Sequence, residues 1–523
     1  MSKSSIPDVT LGSWFAKRAT ATPDARALTF EGRTLTFGQF LDRIDRVAGG
    51  LRNAGVCRGD RVGYLGLNHP AFFETMFAAA RLGAIFVPLN FRLTGPELSF
   101  IINDAGLHTL VADPDHHGLI DAVRPELPVR VYLATEAGVS GWGSYEQVAS
   151  SNLPLGLVEE GDPESVAVIM YTSGTTGRPK GAMLTHANLW WNNTNVLHMM
   201  DVLATDVSLV VAPLFHIGGL NVTTLVAWQK GGEVVLLRSF DPGACLEAIP
   251  RYGVTTMFGV PAMFLFMSQH PSFASADLTS LRMLICGGAP VPEPLIKLYN
   301  GRGIPIQQGY GLTETSPAVS FLGPEYSLAK LGSAGRPPMF VEVQIVDSDG
   351  RTVTGPDVRG EICTRGPHVM KGYWNRPDAT AEAIDEDGWF HTGDIGYLDE
   401  DGFLFIADRV KDMVITGGEN VYPAEVESIL YEHPAVAEVA VIGVPDERWG
   451  EAIAAIVALK PGESLTLDEL RDFGGKSLAR FKLPSHLHIV EVLPRNPAGK
   501  VLKFELRDQV REVRERQSGT VSP

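Results

Sequence analysis

The sequence predicts an α/β fold in two domains: a large N-terminal domain of parallel-rich sheets with helices plus a β-rich subdomain, and a small α+β C-terminal domain. Three observations carry this. Apolar runs of strand length alternate with helical patterns over most of the chain. From about 333 to 408 the texture changes to short strands separated by turn signals. Beyond Arg409 a fresh pattern of helices and strands begins. A chain of 523 residues, 45% of them hydrophobic, is also too long for one ordinary core.

Taken in order, amphipathic periodicity predicts helices over 36–54 and Pro70–Leu82. Strand-length apolar runs fall at Arg61–Leu65, 84–88, 108–112, 165–171, 208–212, 233–237 and 281–286. Asp347-Ser-Asp-Gly350 and Asp399-Glu-Asp-Gly402 read as turns of the β-rich part. Tyr422-Pro423 opens a helix, with proline at its first position and acids in the first turn. Strands follow at 436–443 and 452–460, and 514–523 reads as a frayed tail. The boundary falls near 408–412, dividing the chain into 1–410 and 411–523.

A formal net charge of −17 with no long basic run argues against nucleic-acid binding. Any phosphate must therefore be held by local backbone N–H groups, a few cations and a metal ion. The four cysteines, Cys57, Cys245, Cys286 and Cys363, are scattered without zinc-ligand spacing, which fits a reducing cytoplasm. The N-terminus lacks the apolar core of a signal peptide. The uncharged stretch 207–229 contains Pro213, His216, Gly218, Gly219 and Asn221, which lipid tolerates poorly. It reads as a buried strand followed by a pocket-lining helix. No transmembrane segment is expected; peripheral membrane contact, and a homodimer or a monomer, stay open.

The segment Tyr171-Thr-Ser-Gly-Thr-Thr-Gly-Arg-Pro-Lys-Gly181 follows an apolar strand directly, and a helical stretch begins near His186. Gly174, Gly177 and Gly181 let the backbone approach an anion; Thr172, Ser173, Thr175 and Thr176 add hydroxyl donors, and Lys180 a charge. It is not a Walker A loop. Counting from Gly174, the position that needs glycine holds Pro179.

This loop resembles the signature of the adenylate-forming superfamily of acyl-CoA synthetases, aryl-CoA ligases, peptide-synthetase adenylation domains and beetle luciferases. The resemblance continues in order along nearly the whole chain. In Gln308-Gly309-Tyr310-Gly311-Leu-Thr313-Glu314 an aromatic between glycines offers a face to a flat base. The resemblance puts Tyr310 against adenine, Thr313 at the phosphates, and Glu314 with Thr176 on Mg²⁺, a hard cation suited to oxygen. Trp389-Phe-His-Thr-Gly-Asp394 is similar to the ribose motif, with Asp394 accepting from the sugar hydroxyls and Arg409 a second ribose or phosphate contact. It also implies a hinge at Lys411, a pantetheine-lining loop at Gly417 and Gly418, and a catalytic lysine at Lys500 on a mobile C-terminal domain. Pro213-Leu-Phe-His216 is similar to the motif whose last residue sits between nucleotide and acyl group.

The resemblance implies an enzyme that uses ATP, Mg²⁺ and coenzyme A. A carboxylate attacks the α-phosphorus, giving an acyl-adenylate and pyrophosphate, after which a thiol takes the acyl group and AMP leaves. Positioning and electrostatic stabilisation carry such chemistry. Expected acyl-pocket residues are His216, Trp228, Met263, Phe264, Met267, Gly287, Gly288 and Ala289, an apolar set without an arginine for a second carboxylate. A medium- or long-chain fatty acid is the main reading, with a feruloyl- or 4-coumaroyl-type acid as the alternative. Loading of a separate carrier protein is a further alternative. A non-catalytic nucleotide-binding relative is disfavoured, because Glu314, Asp394, Arg409 and Lys500 are all present.

Overall fold

The computed structural model describes residues 8–155, 161–172, 179–347, 349–409, 412–416, 419–446, 450–495 and 501–517. Two eight-stranded sheets dominate its N-terminal part. One runs in the order 318–321, 306–311, 283–287, 256–259, 207–210, 233–236, 26–30, 33–36, parallel except at its two ends. The other runs 372–373, 180–185, 166–172, 85–89, 61–65, 107–112, 131–134, 143–144, antiparallel only around 180–185.

Strand side chains alternate between faces, and both faces of these sheets are covered. Tyr64 and Val168 point into the same core as Val210 and Val234 of the other sheet, so the helices between the sheets serve both. Leu65 and Ile169 enter an outer core on one side, and Leu209 and Val235 a second outer core on the other. The result is five layers, αβαβα. The sandwiched helices are those expected: Phe37–Asn53 and Pro70–Leu82. The first is capped by Thr36, whose hydroxyl accepts from Gln39 N while Gln39 Oε1 accepts from Thr36 N. The second starts with proline at its first turn and ends at Gly83, whose φ of 66° closes a left-handed cap.

One strand was not expected. After the phosphate loop the chain returns antiparallel as Lys180–Thr185, with Thr172 opposite Lys180. Only then does the helix His186–Met199 begin, capped by Thr185. Both ends of the loop, Thr172 and Lys180, are therefore fixed by the same ladder.

The β-rich subdomain is an antiparallel five-stranded sheet, ordered 333–335, 404–409, 390–398, 360–365, 342–346. From Val414 onward a separate sheet forms around the long ladder of Val436–Asp446 and Gly450–Leu459, with an apolar cluster on each face. It meets the subdomain where Arg359 lies over the Tyr422 ring at 4.3 Å and reaches Glu425 at 3.5 Å. No helix among the described residues is long and apolar enough to cross a membrane, and all four cysteines are free.

Candidate active site

Strands Val207–Val210, Thr256–Gly259, Met283–Gly287 and Ile306–Gly311 lie side by side and parallel. In open sheets of this kind ligands bind beyond the carboxyl ends of the strands. Here those ends lead to His216, to Phe258, to Gly287-Gly288-Ala289, and to Gly309-Tyr310-Gly311. The glycines at 287 and 288 are dictated by space and backbone. A Cβ on Gly287 would sit 2.8 Å from the Gly309 carbonyl oxygen, and Gly288 has φ of +82°.

Tyr310 donates its hydroxyl to Asp394 Oδ2 at 2.7 Å, joining the parallel sheet to the β-rich subdomain. Asp394 is 6% exposed and faces Arg409 across the antiparallel ladder. Its turn is fixed from both sides: Asp394 N donates to Thr392 Oγ1, that hydroxyl donates to Ile362 O, and Gly393 N donates to Glu361 Oε1. A half-buried ring joined to a rigidly held carboxylate suits a base beside a vicinal diol, so these residues fit an adenosine group.

Glu314 lies on the short turn Thr313–Thr315 after the Tyr310 strand and is 8% exposed. Its Oε1 accepts from Tyr373 OH at 2.9 Å and from Thr172 Oγ1 at 3.4 Å. Its carbonyl accepts from Met370 N at 2.7 Å. Burial first, and the Glu314 charge second, push the Tyr373 hydroxyl well above the ordinary phenol range, so it remains a donor. Lys180 Nζ stands 5.2 Å from the Tyr373 ring centroid. A carboxylate, two hydroxyls and a nearby ammonium at the mouth of a glycine-rich hairpin fit Mg²⁺ with phosphate. Ser173, Gly174, Thr175, Thr176 and Gly177 lie outside the described residues, as do Lys411, Gly417, Gly418 and Lys500.

His216 precedes the helix Ile217–Asn221 and is partly buried; desolvation, then the Arg92 charge, lower it to about 4. At neutral pH it is an uncharged imidazole, and its Nε2 has no hydrogen-bond partner among the described residues. An orphaned buried nitrogen of this kind awaits a ligand or water.

Trp228 is elsewhere, which corrects the expectation that it lines the acyl pocket. It is fully buried between the sheets, with ring centroids of Phe15, Phe40, Phe73 and Phe77 within 4.7–5.9 Å, and its N–H donates to Ala27 O. Its place follows from helix Thr224–Lys230 packing inward. Phe264 and Met267 are likewise fully buried in the outer core, where Tyr299 donates to Phe264 O. Met263 sits beside Gly259 at the crevice end of the helix Pro261–Gln269 that also carries Phe264 and Met267.

Two residues were missed. Phe258 stands at the crevice, and a Cβ on Gly218 would meet its ring at 2.7 Å and one on Gly287 at 3.7 Å. The signal was present in Phe258-Gly-Val-Pro261, an aromatic at a strand end just before a helix-starting proline. Tyr373 arrives on the two-residue edge strand Gly372–Tyr373, too short to register as periodicity.

Known proteins match this arrangement along its length. The AMP-binding enzyme family matches residues 15–374, and the AMP-binding enzyme C-terminal domain matches 425–500. A feruloyl-CoA synthase of an Amycolatopsis species is 47% identical over 497 residues, covering 95% of this chain and 98% of the relative. A long-chain-fatty-acid–CoA ligase of Mycobacterium tuberculosis is 39% identical over 501 residues, covering 95% and 98%. Among solved structures, o-succinylbenzoate CoA synthetase from Bacillus subtilis in complex with its acyl-adenylate intermediate superposes with a TM-score of 0.84, at 34% identity and covering 95% and 98%. With both of its parts matched, the chain belongs to the AMP-binding enzyme family and is an ATP-dependent acyl-CoA synthetase.

Proposed function

We propose that the acid activated by this synthetase is an aromatic acid of the hydroxycinnamate type, in place of the fatty acid first expected. The observation that carries this is Phe258. Its ring fills the space left by Gly218 and Gly287, so the crevice has a flat aromatic wall where a long alkyl chain needs depth. The 47% identity to a feruloyl-CoA synthase, against 39% to a long-chain fatty-acyl ligase, supports the same choice.

In this reading Tyr310 stacks on adenine and Asp394 accepts from the ribose hydroxyls, with Arg409 nearby in the chain order of the ladder. Glu314, flanked by the Thr172 and Tyr373 hydroxyls, holds Mg²⁺, and the ion when bound supplies positive charge to the phosphates. Thr172 and Lys180, at the two ends of the hairpin loop, hold the departing pyrophosphate together with residues 173–177. The acid's carboxylate oxygen bonds to the α-phosphorus as the bond to pyrophosphate breaks; Lys500 positions both groups. The chain divides at 410/411, and the C-terminal domain turns about Lys411 to bring Gly417 and Gly418 to the pantetheine arm. The coenzyme A thiol then attacks the acyl carbonyl and AMP leaves. The enzyme works in the cytoplasm.

Coenzyme A ligation of acetate, octanoate, palmitate, benzoate and ferulate tests the substrate class. Ferulate should have the highest kcat/KM. Palmitate or octanoate above ferulate would refute the aromatic reading.

A further inference from the structure

A second cluster of ligating side chains lies in the β-rich subdomain. Strands Gly360–Arg365 and Phe390–Leu398 pair antiparallel, with Cys363 opposite His391 and a register shift between Glu361 and Cys363. The Cys363 sulfur is 3.4 Å from His391 Nδ1, and Glu361 Oε2 is 3.0 Å from the same nitrogen. One atom from each of the three residues lies within 4.8 Å of the other two.

Hydrogen bonding accounts for this arrangement incompletely. Nδ1 carries at most one proton, so it cannot donate to both the Glu361 carboxylate and the Cys363 sulfur; Asp385 Oδ2 lies 3.7 Å from Nε2. A tetrahedral cation with bonds of about 2.0 Å to nitrogen or oxygen and 2.3 Å to sulfur separates its ligand atoms by roughly 3.3–3.5 Å. The 3.4 and 3.0 Å separations about Nδ1 are close to that. Thiolate, imidazole and carboxylate together suit zinc, whereas Mg²⁺ and Ca²⁺ take oxygen ligands.

We propose that Glu361, Cys363 and His391 form a binding site for Zn²⁺, with the fourth position open to solvent. Cys363 anchors the site from within the fold, while the Glu361 and His391 side chains are 26% and 34% exposed and give the ion a way in. On binding, the thiol proton passes to solvent and His391 keeps its remaining proton on Nε2, directed at Asp385. A carboxylate behind a ligating histidine is the usual outer support of such sites. Glu361 also accepts from Gly393 N through its other oxygen at 2.9 Å, so the cation is tied to the turn that carries Asp394.

Titrating the full-length, metal-stripped protein with Co²⁺ tests the site. The wild type should take up one equivalent with an intense near-ultraviolet sulfur-to-cobalt absorption, which Zn²⁺ then abolishes. Cys57→Ser, removing the exposed thiol, should retain the band, and Cys363→Ser should lose it. His391→Gln should weaken Co²⁺ binding by more than the roughly 10–100-fold that outer-sphere partners contribute. No band in the wild type, which needs no variant to fold, would overturn the proposal. A band surviving Cys363→Ser would do the same.

Discussion

Tyr373 OH and Glu314 Oε1 are 2.9 Å apart, joining an edge strand of one large sheet to the turn that follows the last parallel strand of the other. Removing the hydroxyl leaves a buried carboxylate with a weaker partner, Thr172 at 3.4 Å. A hydrogen bond to a charged group contributes about 1.5–3 kcal/mol. Tyr373→Phe should therefore slow acid-dependent ATP–pyrophosphate exchange by roughly tenfold or more. The Mg²⁺ concentration for half-maximal exchange should change with it. Exchange at the wild-type rate across the Mg²⁺ range would remove Tyr373 from the metal environment.

The Tyr310–Asp394 bond makes a different claim, about the nucleoside alone. Asp394→Asn keeps the shape and removes the charge that suits a diol. The KM for ATP should rise roughly tenfold or more, the weight of one charged hydrogen bond, with little change in the KM for the acid. Equal changes in both constants would point to a general loosening of the turn at Thr392–Asp394.

Much of this site was legible because its residues sit in glycine-rich or hydroxyl-rich runs that no ordinary strand or helix needs. Tyr310, Glu314 and Asp394 came from such runs, and the structure gathers them with Thr172 and Lys180 at the ends of the sheets. The parallel strands were legible for a related reason: buried on both faces, they read as apolar-rich stretches without strict alternation. What was not legible depends on packing between distant segments. Trp228 and Phe258 are both aromatics beside glycine-containing segments, yet one fills the core and the other reaches the crevice. Only the meeting of Gly218 with Phe258, forty residues on, tells them apart. Strand Lys180–Thr185 was hidden because its ladder partner precedes the loop, and Lys180 itself reads as loop chemistry.

Phe258 gives a test of the pocket that does not rely on nucleotide residues. Phe258→Ala removes the flat wall and opens volume between Gly218 and Gly287. Buried Phe→Ala changes cost about 3–5 kcal/mol in stability, so folding is checked alongside by the thermal midpoint. Ferulate ligation should fall and octanoate ligation rise relative to it, measured as a ratio of kcat/KM values. A parallel loss for both acids would mean that Phe258 supports the sheet and does not select the substrate.

Acid should destabilise this protein well above the carboxylate range. Burial lowers His69, His186 and His216 to about 4 and His368 to about 3. Unfolded histidine takes up its proton near 6.5, so between about 6.5 and 4 the unfolded chain binds more protons than the folded one. The stability from these neutral rings is complete above about 6.5 and is lost as pH falls through that window. Asp45, raised to about 6 by burial, and His116, raised against its burial by the Asp113 carboxylate, act in the opposite direction, but they are two groups against four. At about 1.4 kcal/mol per pKa unit, the net loss by pH 5 is several kcal/mol as an order of magnitude. The thermal midpoint should drop steeply from pH 7.5 to 5, and less steeply in His368→Gln. A flat profile would mean that these rings are protonated without unfolding.

The two half-reactions separate the proposed roles of Lys500 and Lys411. If Lys500 positions the carboxylate and α-phosphate, its charge matters only while the acyl-adenylate is being made. Lys500→Ala should lower adenylation by roughly 10²-fold or more, the effect of losing one preorganised charge contact. Thioester formation from synthetic acyl-adenylate should largely survive. Lys411→Pro acts on the turning of the domain, because proline fixes φ where a hinge must change it. It should therefore impair thioester formation more than pyrophosphate exchange. The pair of variants thus predicts opposite asymmetries in the same two assays. Equal losses in both assays for Lys500→Ala would remove the idea that the C-terminal domain presents different faces to the two steps.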